Sequence, residues 1–197
     1  MAHELSLTDS DIRSLGEGEL VVRDGMLSES QVFACAADLD QLRGSKRLTP
    51  AGMGRGAVRV QTDRGDRTIW AQDVDASLFV GLGALFEDVR TQLNEGAWLG
   101  LDRFDVQLAT FEGDGARYVQ HLDALAGDRR RRATAIVYLN PGWVPADGGC
   151  LRIDPPSGRR DVEPLGGRLV IFLSDRLRHE VLPCHALRRA ATAWYCG

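Results

Sequence analysis

A chain of 197 residues, 44% of them hydrophobic, can bury one sizeable core and is short for several domains. Its formal net charge of -4, from 24 Lys and Arg against 28 Asp and Glu, supplies no global basic field for a nucleic acid. Gly and Pro are scattered without period, which excludes collagen-like and low-complexity chains. No apolar run approaches the roughly 18 residues of a membrane span, and Met1 to Ser10 lacks the basic-then-apolar layout of a signal peptide. No membrane partner is expected. Cys35, Cys150, Cys184 and Cys196 lie far apart with no C-x-x-C pair, so reduced thiols in a cytoplasm are the expectation. The short termini suggest a monomer.

Helical spacing dominates from about Thr8 to Glu95. Ser28 is a natural N-cap for a helix over Glu29 to Leu42, where Val32, Cys35, Ala36 and Leu39 recur on one face. Gly44 to Gly65, rich in Gly and Arg, reads as an irregular, mobile loop. A second helix is predicted from about Ala76 to Leu93, with Leu78, Leu82, Leu85, Phe86, Val89 and Leu93 on one stripe. From Phe104 the period shortens to two. The predicted strands are Phe104–Phe111, Tyr118–Leu122, Thr134–Leu139, Cys150–Ile153, Asp161–Glu163, Leu169–Leu173, His179–Leu182 and Arg189–Tyr195. Turn residues such as Asn140-Pro141-Gly142 and Asp147-Gly148-Gly149 separate them. Short strands at regular spacing after a helical part predict a single domain, mainly β with supporting helices. Residues 1–100 would supply helical support and a substrate loop, and 101–197 a jelly-roll core.

Two histidines stand among the strands. His121 and Asp123 are two residues apart in or just past a strand, so both side chains leave one face. His179 opens a later strand. Two His and one carboxylate on one side of a metal leave the opposite positions open, as in O₂-activating non-haem Fe(II) sites. Zn²⁺ competes on ligand type, and a bare H-x-D also arises by chance. In the last strand Arg188, Ala190, Thr192 and Trp194 share one face, and Arg189, Ala191, Ala193 and Tyr195 the other. An inward Arg needs a carboxylate partner, which a dicarboxylate cosubstrate would supply through a forked pair of hydrogen bonds. Alternation alone does not say whether Arg188 or Arg189 points inward.

Several segments in order resemble the prolyl-hydroxylase branch of the Fe(II)/2-oxoglutarate oxygenases, above all the hydroxylases acting on hypoxia-inducible factor and their bacterial relatives. They are Gly115 to Asp123, Ile136 to Asn140 with Trp143, Gly148 to Ile153, Asp161 to Pro164, Ser174 to Arg176, His179 to Pro183, and Arg188 to Thr192 with Trp194 and Tyr195. Arg64 to Trp70 is similar to that family's substrate-side loop and strand. The likeness is continuous from Phe104 and patchier before it.

The resemblance implies a double-stranded β-helix (jelly roll) and iron held by His121, Asp123 and His179. It implies Arg188, rather than Arg189, on the distal carboxylate of 2-oxoglutarate, with Tyr138 assisting and Thr192 and Trp194 lining the pocket. Trp194 would also meet the substrate, together with Arg64, Asp66 and Trp70. Phe111 stands where the family carries a tyrosine beside the cosubstrate, which removes one polar contact. The implied activity is hydroxylation of prolyl residues in a protein or peptide, using O₂ and releasing succinate and CO₂, with ascorbate as an optional reductant. Alternatives are hydroxylation of a small molecule or free amino acid, and a non-catalytic binding module. The run Arg129 to Arg132, expected in a loop after the H-x-D strand, reads as a solvated tip, with Arg131 or Arg132 touching substrate as the functional alternative.

Overall fold

The computed structural model describes residues 4–52, 64–75, 79–124 and 130–197. Among these, three α-helices accompany eleven strands. In chain order they are α1 (Asp9–Gly16), β1 (Val21–Arg23), α2 (Glu29–Gly44), β2 (Thr49–Pro50), β3 (Asp66–Trp70) and α3 (Val80–Ala97). The strands β4 (Arg103–Phe111), β5 (Tyr118–His121), β6 (Arg131–Tyr138), β7 (Leu151–Ile153), β8 (Arg160–Val162), β9 (Leu169–Leu173), β10 (His179–Val181) and β11 (Arg188–Cys196) follow.

The pairing makes a jelly roll. One sheet runs β1-β9-β6-β11-β4-β3-β2 and the other β5-β10-β7-β8. From β4 onward successive strands are shared between the two sheets, and every pair is antiparallel. Strand β11 lies inside the larger sheet with β4 on one side and β6 on the other, so neither of its edges is open.

The helices cover the outer face of the larger sheet. Leu15 of α1, Val32 and Leu39 of α2, and Leu82, Phe86, Val89 and Leu93 of α3 pack on Leu108, Ala135, Val137, Ala191, Ala193 and Tyr195. The inner face carries Ile136, Tyr138, Val170, Phe172 and Ala190, packed against Leu151, Ile153 and Val162 of the smaller sheet. Alternation along each strand therefore divides the residues between two cores.

The α2 prediction holds closely. Ser28 caps the helix: its Oγ accepts from the Gln31 amide at 3.3 Å, while Gln31 Oε1 accepts from the Ser28 amide at 2.8 Å. The apolar stripe of the second predicted helix is buried within α3, except Leu78, which lies outside the described residues. All eight predicted strands are present with ends shifted by at most three residues.

Three things differ. Helix α1, with Thr8 and Asp11 in a reciprocal capping box, carries a start signal that the period alone did not single out. Strands β1, β2 and β3 lie in the part read as helical support and form both edges of the larger sheet, so residue 100 does not divide the sheet from its support. At three and two residues β1 and β2 are too short to display a period, whereas β3 falls on the Arg64 to Trp70 segment that the resemblance read as loop and strand. Arg131 and Arg132, expected in a loop, open β6, because β11 continues to Cys196 and pairs it with Arg131. Arg129, and the 53–63 part of the predicted loop, lie outside the described residues.

Tyr195 ties the layers together: its buried hydroxyl donates to the Phe86 carbonyl at 2.9 Å. Tyr195→Phe should lower the unfolding free energy by about 1 kcal/mol in urea titrations. Metal binding should be unchanged, because Tyr195 faces the helices; a loss of metal affinity would contradict that partition.

Candidate active site

The structure brings His121, Asp123 and His179 together at the open end of the space between the sheets. Their ligand atoms all lie within 4.8 Å of one another. His179 pairs directly opposite His121 in the β10–β5 register, so two neighbouring strands deliver both imidazoles. Asp123 follows β5 and turns back between them. Its Oδ1 lies 3.6 Å from His121 Nε2 and its Oδ2 3.7 Å from His179 Nε2, too long for hydrogen bonds.

Backbone carbonyls fix both rings. His121 Nδ1 lies 2.9 Å from the Val119 carbonyl and His179 Nδ1 3.1 Å from that of Leu177. A carbonyl only accepts, so each Nδ1 carries the proton and each Nε2 presents a lone pair towards Asp123. Burial pushes the His179 proton affinity below its ordinary value, which keeps the ring neutral and able to ligate. Burial alone would raise the Asp123 carboxyl, but His179, His121 and a hydrogen bond from Thr134 hold it well below the usual range. A neutral His179 and an ionised Asp123 are the protonation states a divalent metal requires of such ligands.

Ring contacts run outward from the triad. His121 and His179 are 4.2 Å apart between centroids, and Phe172 meets the edge of His179 at 4.9 Å. Tyr118 stacks on the other side of His121 at 3.8 Å, and the Arg64 guanidinium lies 4.5 Å over Tyr118.

Arg188 and Arg189 meet opposite fates. Arg189 points to the helices and makes a bidentate pair with Asp40 of α2 at 2.9 and 2.7 Å. Arg188 points inward, is 4% exposed, and has no carboxylate partner among the described residues. Its Nε donates to the Gly149 carbonyl at 2.8 Å, while its Cζ lies 5.1 Å from the Phe111 ring centre and 5.0 Å from that of Tyr138. The Tyr138 hydroxyl is buried without a hydrogen-bond partner among the described residues. Burial pushes its pKa up to about 12 against the opposing charge of Arg188, so it remains a donor at neutral pH. An unanswered cation and an unanswered hydroxyl side by side fit an incoming carboxylate.

The other residues from the sequence reading gather at the rim. Thr192, partly exposed, sits between Gln107 and Ile136 on the inner face of β11. Trp194 is 5.7 Å from Trp70, its buried indole Nε1 has no partner among the described residues, and Arg131 lies 4.3 Å over its ring. Arg64 pairs with Asp66 at 2.7 and 3.0 Å and donates to Gln107 Oε1 at 3.0 Å. Its Nε and Nη2 donors are therefore engaged within the protein. All four cysteines are free thiols, and burial raises those of Cys35 and Cys184 to about 11.

Known proteins share this fold. The model of the 2OG-Fe(II) oxygenase superfamily matches residues 106–196. The crystal structure of a Pseudomonas putida prolyl-4-hydroxylase superimposes with a TM-score of 0.83 at 34% identity, covering 95% of this chain and 97% of that one. The chain belongs to the 2-oxoglutarate/Fe(II) oxygenases. A Trichoplax adhaerens prolyl hydroxylase, in complex with a hypoxia-inducible factor oxygen degradation domain peptide fragment, matches this oxygenase with a TM-score of 0.85 at 26% identity, covering 94% and 87%. The human prolyl hydroxylase EGLN3 is 43% identical over 104 residues, 51% of this chain and 43% of that protein. The oxygenase thus spans less than half the length of that curated relative.

Tyr118, Gln107, Thr134, Gly149 and Ser174 received no role from the sequence. Thr134 was the most accessible of these, since it alternates with Ile136 and Tyr138 on one face of β6. Gly149 has φ +73°, and a Cβ there would lie 2.8 Å from Arg188 Cδ and 2.9 Å from Cys184 Sγ. Gly149→Ala should displace Arg188 and raise the 2-oxoglutarate concentration for half-maximal succinate formation by about tenfold or more. Mn(II) affinity in the absence of 2-oxoglutarate should stay at the wild-type value. An unchanged 2-oxoglutarate requirement would mean that the pocket absorbs the added methyl.

Proposed function

We propose that this oxygenase hydroxylates prolyl residues of a protein or peptide in the cytoplasm, converting 2-oxoglutarate and O₂ to succinate and CO₂. The carrying observation is that two incomplete polar sites open into one inter-sheet space: the His121–Asp123–His179 set and the Arg188–Tyr138 pair. The first suits Fe(II) and the second the far carboxylate of 2-oxoglutarate. Prolyl substrates are supported by the likeness to the Pseudomonas and Trichoplax enzymes, and by the Arg64, Asp66, Trp70 and Trp194 rim.

When bound, Fe(II) supplies the O₂ chemistry that replaces an unactivated C–H by C–OH. The chain's own residues bind and orient. His121 and His179 offer Nε2 with their tautomers set by Val119 and Leu177. Arg188 and Tyr138 hold the cosubstrate by its distal carboxylate and so set the direction in which its keto acid end points. Ile136, Ala190 and Phe172 help keep the space between the sheets dry. Phe111 offers only its ring to Arg188, so the hydroxyl of Tyr138 is the phenolic donor at that end. Trp194 and Trp70 form an apolar wall at the mouth against which a pyrrolidine ring fits. The protein works as a monomer, and ascorbate serves as an external reductant.

The direct test incubates the protein with Fe(II), 2-oxoglutarate, O₂ and proline-containing proteins from the native lysate. A gain of one oxygen on proline within a polypeptide is expected. The same gain on free amino acids alone would redirect the proposal to small substrates. His179→Ala should abolish succinate formation, and full turnover in that variant would remove His179 from the ligand set. Arg188→Lys should raise the 2-oxoglutarate requirement roughly 10- to 100-fold, because an ammonium cannot reproduce a forked pair of charge-assisted bonds. Arg189→Lys should leave it unchanged.

A further inference from the structure

Two buried hydroxyls stand behind the Asp123 carboxylate, one bonded to it and the second bonded to the first, and neither belongs to the ligand set or to the Arg188 pocket. We propose that Thr134 and Ser174 are a positioning pair that presents Asp123 to the metal through Oδ1 and withholds Oδ2. This rests on the reading of His121, Asp123 and His179 as iron ligands.

Thr134 Oγ1 lies 2.8 Å from Asp123 Oδ2, and Ser174 Oγ lies 2.8 Å from Thr134 Oγ1. A carboxylate can only accept, so the Thr134 hydroxyl donates to Oδ2. Its single proton is then committed, and the Ser174 hydroxyl must donate to Thr134. The chain runs one way, from Ser174 through Thr134 to Asp123. Both hydroxyl residues are fully buried, so water does not compete for these bonds.

The backbone reinforces the arrangement. The Ser174 carbonyl accepts from the Ala124 amide at 3.2 Å, the residue next to Asp123, and the Ser174 amide donates to the Arg132 carbonyl at 3.1 Å. Ser174 therefore grips the Asp123 segment twice, by main chain and through Thr134. It also stands five residues before His179, at the start of the turn that delivers that ligand. Thr134 is held in the middle of the larger sheet, opposite Trp194 on β11 and Phe172 on β9. A rigid strand thus sets the position of the donor.

The consequence concerns the open face of the site. A carboxylate closing on the metal with both oxygens would take a position that a two-His, one-carboxylate site leaves free. Engaging Oδ2 in a charge-assisted bond opposes that closure and leaves Oδ1, on the His121 side, as the ligand atom.

Mn(II) binding to the full chain, measured without 2-oxoglutarate by the electron spin resonance of free Mn(II), tests the pair. Thr134→Val keeps the shape and removes the donor, and should weaken Mn(II) binding by about 10- to 100-fold. Thr134→Ser should restore wild-type affinity. Ser174→Ala should weaken binding less, and should add nothing in the Thr134→Val background because it acts only through Thr134. Urea unfolding of the metal-free proteins separates this from a purely structural role. Wild-type Mn(II) affinity in Thr134→Val or in Ser174→Ala, even with lowered stability, would overturn the pair and leave the triad standing. Absence of Mn(II) binding in the wild type, or full binding in His121→Ala, would overturn the triad reading and this inference with it.

Discussion

Strand β11 is paired along both edges, in register with β4 through all nine of its residues and with β6 through most of them. A slip of one residue would exchange its two faces. The register is also gripped from behind: Asp40 of α2 holds Arg189, and the Phe86 carbonyl of α3 takes the Tyr195 hydroxyl. With those two side chains committed to the helices, Arg188, Ala190, Thr192 and Trp194 have only the inter-sheet space to enter. Arg188 and Trp194 thus stand at two ends of one strand face, and the helical layer behind that strand sets their positions.

Polar groups inside the roll divide into two kinds. Asp123 is answered by Thr134, and the Nδ1 atoms of both histidines are answered by carbonyls; these groups are oriented before any ligand arrives. Arg188 is only partly answered, through Nε to Gly149, and Tyr138 not at all. A buried guanidinium without a carboxylate costs folding free energy. Its burial is tolerated because nine antiparallel pairs with β4 hold the strand that carries it. The unmet electrostatic demand of Arg188 and Tyr138 is one that a carboxylate would answer.

Much of this was legible in the residues. The strand boundaries after Phe104 followed from turn residues and period-two alternation, and the capping box at Ser28 located α2. The H-x-D spacing put two ligands on one face, and alternation paired Arg188 with Trp194. What could not be read were the contacts made across long separations. Nothing local distinguishes Arg188 from Arg189; Asp40, 149 residues away in sequence, does so. The Thr134–Ser174 bond spans 40 residues and joins β6 to the turn that follows its neighbour β9, an adjacency only the fold reveals. The short edge strands β1 and β2 depend on partners in the opposite half of the chain or across residues 53–63, and carry no period of their own.

The rim and the metal set are physically continuous. Arg64 was expected to meet substrate, yet its guanidinium is shared among Asp66, Gln107 and the face of Tyr118. Tyr118 in turn stacks on His121 at 3.8 Å. Asp66 is itself buried and lies opposite Phe111 in the β3–β4 register, the same Phe111 whose ring flanks Arg188. The start of β3 is therefore linked through Tyr118 to His121 on one side and paired with Phe111, beside Arg188, on the other. In this architecture the Arg64–Asp66 pair acts as a strut that braces the start of β3, the strand that also carries Trp70.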